Sequence, residues 1–162
     1  FPTRRSSELD PEAVRAAVLD VARWDAFDLV DAALAGDAPR ALRCLAGLRA
    51  EGTAVPVVLW AIAEAVRTLL RAAGARDAGR PVGQALREAR VWGERERAYA
   101  SALRRLDVPL LRRLLRACAR TDRIAKGVLD GDDWLSLEAV VLGLAGVAPL
   151  ALAAGLEAEA GS

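Results

Sequence analysis

Apolar residues recur at three- and four-residue intervals along most of the chain, and no stretch alternates apolar with polar for long enough to make a strand. The pattern predicts about seven or eight short-to-medium helices joined by short loops. Asp10-Pro11-Glu12 opens the first, with Val14, Ala17, Val18 and Val21 on one side. Asp25 caps the second, whose apolar face carries Phe27, Val30, Ala33 and Leu34 and which stops at Gly36. Asp37 and Pro39 start a third, with Ala41, Leu42, Leu45 and Leu48 inward, closed by Gly52. Thr53 to Pro56 reads as a connector. From Val57 to about Ala73 the chain is apolar on most sides, as in a central helix packed by several neighbours. Trp60, in this stretch, is expected to fill core or an interface.

Gly74 to Gly83 looks the most loop-like, and a short helix from Val82 to Arg90 follows with Leu86 and Ala89 inward. After Val91-Trp92-Gly93 another helix runs to about Leu106, burying Tyr99, Ala102, Leu103 and Leu106. Pro109 to Ala145 is the most structured reading of all. A long amphipathic helix starts at Asp107 and Pro109 and turns Leu111, Leu114, Leu115, Cys118 and Ala125 inward. Its outward row is Arg112, Arg116, Arg120 and Arg123. The chain breaks at Asp130-Gly131-Asp132, and a last helix places Trp134, Leu137, Val140, Val141 and Leu144 at helical spacing. Residues 147–162 form an alanine-rich tail.

Composition narrows the function more than the fold. At 162 residues, 54% of them apolar, the chain supports one ordinary domain and a fragment of a second. Charged residues make up 28% with a net charge of +1, which argues against a dedicated polyanion binder but leaves room for a local basic face. Histidine is absent, so the usual general base and the commonest transition-metal ligand are missing. Cys44 and Cys118 lie far apart, each inside an apolar helical pattern; buried, reduced thiols are expected, not a zinc site. No apolar run reaches the roughly 18 residues a membrane span needs. Phe1 to Leu9 lacks the apolar core of a signal peptide. FPTRRSSEL instead looks like a translated sequencing adaptor. On that reading residues 1–9 are non-native, and the chain is the tail of a longer protein.

The acids Asp10, Asp25, Asp37, Asp107 and Asp132 read as helix caps, and no carboxylate pair with a cleft suggests itself. No glycine loop precedes Lys126, the single lysine, so nucleotide binding by a phosphate loop is not expected. The arginine row admits a solvated face, a protein–protein face built on guanidinium forks, or phosphate contacts in a helical DNA-binding module. Asp122 and Lys126 are four apart, acid first, the favourable order for a pair on one helix face. If Asp122 is partly buried, its replacement by alanine is expected to weaken folding or assembly beyond a surface substitution.

Three stretches carry a resemblance: Ala22 to Leu42 (ARWDAFDLVDAALAGDAPRAL), Arg90 to Trp92 (RVW), and Ala119 to Leu137 (ARTDRIAKGVLDGDDWLSL), in which acid, lysine and later tryptophan stand in order. Together they resemble the C-terminal part of the delta subunit of the bacterial DNA polymerase III clamp loader, from Asp10 to about Gly146. The resemblance implies an all-α collar domain of about six to eight helices (25–146), preceded by the helical end of a middle domain (10–24). It implies partners: other clamp-loader subunits packed as a five-membered collar ring, with the sliding clamp and primer–template DNA reached only through the complex. It implies a cytoplasmic, non-catalytic subunit of a polymerase holoenzyme, with no cofactor, membrane or small-molecule substrate. The clamp-opening and nucleotide-site residues of the family match no position here. Candidate interface or structural residues are Arg112, Arg116, Arg120, Asp122, Arg123, Lys126 and Trp134.

Overall fold

A computed structural model of the chain describes residues 24–147, and the helix expected from Asp10 lies outside them. Among the described residues there are seven α-helices and no strand. They are α1 (Ala26–Leu34), α2 (Ala38–Ala50), α3 (Val55–Asp77), α4 (Val82–Glu88), α5 (Arg95–Arg105), α6 (Val108–Ala125) and α7 (Asp133–Leu144). The all-α expectation holds.

Four expected aspartates cap helices. Asp25 accepts from the Phe27 amide at 3.0 Å, Asp37 from Arg40 at 3.1 Å, Asp107 from Leu110 at 2.8 Å and Asp132 from Leu135 at 2.9 Å. Each satisfies an amide with no partner inside its helix, typically worth about 1 kcal/mol.

The central helix is longer than its pattern suggests. α3 starts at Val55 because Pro56 falls in the first turn, where its missing N–H costs nothing. It continues past Gly74 to Asp77 because tertiary contact outweighs the weak helix propensity of glycine. The Arg76 guanidinium donates to the Leu103 carbonyl at 2.7 Å and fastens the last turn of α3 to α5. Eleven residues of α3 are buried, and it packs against α1, α4, α5, α6 and α7.

α6 ends earlier than expected, at Ala125 rather than near Asp130. Gly127 takes φ +71°, its amide donates to Ile124, and the Val128 amide donates to Arg123 at 2.8 Å. This paired closure of the last carbonyls is the Schellman arrangement, and glycine suits its left-handed position. Asp130-Gly131-Asp132 is the loop and cap before α7, not the break itself.

Two tight joints involve arginine and tryptophan. Arg105, at the end of α5, donates to the Leu34 carbonyl at 2.8 Å and to Ser101 Oγ at 2.8 Å, covering the open end of α1. A Cβ at Gly36 would come within 3.1 Å of the Arg105 guanidinium carbon, so that glycine leaves room for the clamp. Trp24 packs half-buried against the core, and a Cβ at Gly47 of α2 would lie 2.3 Å from its indole.

Candidate partner-binding face

α6 has an inner face and two flanks. Leu111, Leu114, Cys118 and Thr121 are buried. Toward α7, the Thr121 hydroxyl donates to the Ala117 carbonyl at 2.9 Å and meets Ser136 Oγ at 2.7 Å, closing the hairpin with a satisfied polar contact. Toward α3, the helix against which α6 packs most extensively, the seam is closed at its base and open at its outer edge. There a groove of about 430 Å³ runs between the two helices, with Leu59, Ala63, Leu115 and Ala119 along it and Pro56 and Trp60 on the α3 side.

Trp60 is the ridge of this face. It is 60% exposed, with Val57 at 57% beside it on α3. Trp60 therefore does not fill the core of this chain. On its other side lies a second cleft of about 260 Å³, shared with Phe27, Val91 and Tyr99 and edged by Arg71, Arg90 and Arg95. Phe27, expected on the apolar face of its helix, is 47% exposed at the mouth of that cleft.

The residues singled out in the sequence distribute unevenly over this surface. Arg112, Arg116 and Arg123 are exposed, as is Arg113, which the three- and four-residue spacing passes over. Arg120 is half-buried and so does not continue the exposed row. Asp122 lines the groove, and its carboxylate accepts from Lys126 Nζ at 2.5 Å. The two side chains are 37% and 61% exposed, so the pair is a surface one, worth only tenths of a kcal/mol. Asp122 itself is partly buried, the condition under which its replacement is expected to weaken folding or assembly beyond the loss of the ion pair. Trp134 is half-buried, with the Arg49 guanidinium 5.8 Å from its ring centroid, a cation–π contact between α2 and α7.

The chemistry on offer is recognition. Cys118 reaches the groove, but burial pushes its thiol up to about 12, so it stays protonated and is a poor nucleophile or metal ligand at neutral pH. Burial also raises Cys44, and both cysteines are unbridged. Among the described residues no group of three or more Cys, Asp or Glu could hold a metal ion. None of the described helices is long and apolar enough to cross a membrane.

The sequence matches the family described as "Processivity clamp loader gamma complex DNA pol III C-term" over residues 26–151. The chain belongs to that family. It is also 33% identical over 129 residues to DNA polymerase III subunit delta of Escherichia coli (strain K12), a match taking in 80% of this chain. The chain spans 37% of the length of that relative. All seven described helices lie inside the family match, which begins with the first residue of α1.

Within this clamp-loader domain, the sequence reading passed over the groove itself. One signal for it exists. Glu64 and Arg67 stand four and seven residues after Trp60, on the same side of α3, and they pair at 2.6 Å in solvent. That polar continuation marks the Trp60 side as the outer one, even in a helix apolar nearly all round.

Proposed function

We propose that this chain is part of a clamp-loader delta subunit of a bacterial DNA polymerase III holoenzyme, and that its helical domain is a collar. Residues 10–24 end a preceding middle domain, 25–146 form the collar, and 147–162 are a tail. The collar assembles beside ATP-hydrolysing subunits and holds the rest of its own protein in a fixed place, so that their closure is passed to the sliding clamp. The chain performs no catalysis of its own, works in the cytoplasm, and meets the clamp and primer–template DNA only through the complex.

The observation that carries this reading is the family match over residues 26–151, which takes in all seven described helices. The outer surface supports it: exposed Trp60, Val57 and Trp92 are large apolar side chains of the kind association covers. The test mixes the full chain with purified clamp-loader ATPase subunits and follows mass by light scattering. A defined complex, with no primer–template binding by the chain alone near physiological salt, is expected. A folded chain that ignores those subunits but binds duplex DNA, with affinity falling steeply as salt rises, would instead favour phosphate contacts through the arginine row.

A further inference from the structure

We infer that the groove between α3 and α6 is the seat of an acidic amphipathic helix from a neighbouring clamp-loader subunit, with Trp60 as its anchor. The inference rests on the collar reading and adds to it which face is used and what chemistry meets it.

The groove is mostly apolar, through Leu59, Ala63, Leu115 and Ala119, with Arg67 and Asp122 also lining it, and its ridge is an indole that the described residues leave 60% exposed. Tryptophan and arginine are among the side chains most enriched where binding energy concentrates, and Trp60 and Arg67 both line this groove. On α6, Arg112 precedes Leu115 by three residues and Arg116 precedes Ala119 by three. Arg123 follows Ala119 by four. At helical spacing these are immediate neighbours, so exposed guanidinium groups run along the bank of the apolar channel.

Charge decides the partner. The groove's own acid, Asp122, is paired with Lys126, and Glu64 on the α3 side is paired with Arg67. Among the described residues no carboxylate pairs with Arg112, Arg116 or Arg123. The bank therefore presents unneutralised positive charge beside an apolar floor. The complement is a helix with an apolar stripe for the floor and Asp or Glu flanking it for the guanidinium forks. A nucleic acid would use the arginines but leave the apolar floor uncovered.

The test compares the wild-type full chain with two variants, Trp60→Ala and Arg112→Glu/Arg116→Glu. Both change exposed positions, and melting curves check that they fold. Each is titrated with the clamp-loader ATPase subunits, and Trp60 oxidation is measured by footprinting with and without them. Expected are at least tenfold weaker association for each variant, weaker wild-type association as salt rises, and protection of Trp60 in the wild-type complex.

Association unchanged within about twofold in both variants, with Trp60 oxidised equally in the complex and alone, overturns the groove while leaving the collar reading intact. Failure of the folded wild-type chain to associate at all overturns both. Two further outcomes also overturn the inference. One is protection of Trp60 by primer–template duplex alone. The other is a rise in Trp60 oxidation when the isolated chain is shortened after Val147, which would make the occupant the chain's own tail.

Discussion

The two flanks of α6 meet their neighbouring helices differently. The flank toward α7 is closed: Thr121 and Ser136 share a hydrogen bond at 2.7 Å, and Leu137 on α7 is fully buried. The seam toward α3 is packed at its base but open at its outer edge, where Trp60, 60% exposed, lines a groove with Leu115 and Ala119. A closed seam contributes to folding; an open apolar seam is stabilised only when something covers it. One helix can thus serve stability on one side and association on the other, and substitutions should separate the two.

The largest break should come on the closed side. Leu137→Ala removes a fully buried side chain and is expected to cost about 2–5 kcal/mol, read as a lower urea midpoint. Next, Thr121→Val leaves the Ser136 hydroxyl without its partner, an expected loss of about 1–3 kcal/mol. Adding Ser136→Ala to it should recover part of that loss, because no unmatched hydroxyl then remains; no recovery would mean the bond does not hold the seam.

A pH experiment probes the helix between the seams. The Cys118 thiol titrates at about 12 when folded against an ordinary value of 9.0, so the unfolded chain loses its proton first. Unfolding releases a proton in that window, and stability therefore falls as pH rises above about 9. Tyr99, also raised by burial, acts in the same direction. Urea unfolding at pH 8 and pH 10 should show the decline, and Cys118→Ala should make it shallower; an equal slope in both proteins would assign it elsewhere.

The smallest effects belong to the open side. Breaking the ion pair from its exposed end, Lys126→Ala, is expected to change stability by only a few tenths of a kcal/mol, since Lys126 is 61% exposed. Trp60→Ala should stay within about 0.5 kcal/mol in the isolated chain. A large loss of stability in either would mean that the open flank is part of the fold after all.

The contrast also explains what could be read from the sequence. Caps, helix number and most core positions were legible, because Asp25, Asp37, Asp107 and Asp132 act on amides two or three residues away. The extension of α3 through Gly74 was not. It depends on Arg76 reaching the Leu103 carbonyl, a contact twenty-seven residues distant. The Arg105 clamp on α1 is longer-range still. The arginine row was legible as an outward face, apart from Arg120, whose half-burial is a tertiary matter. The groove was hidden for a different reason. Periodicity says which residues of a helix are apolar, but not which apolar residue the neighbouring helices fail to cover. In α3 that residue is Trp60.

The seating of Trp24 against Gly47 has a mechanical reading. Its indole occupies the volume that any side chain at 47 would need, so the missing Cβ is what lets the residue just before the α1 cap sit against α2. α2 leans on α1 and α7, and these in turn lean on α3. A single methyl added at position 47 would meet that indole, so Gly47→Ala obliges Trp24 to leave its seat or α2 to shift.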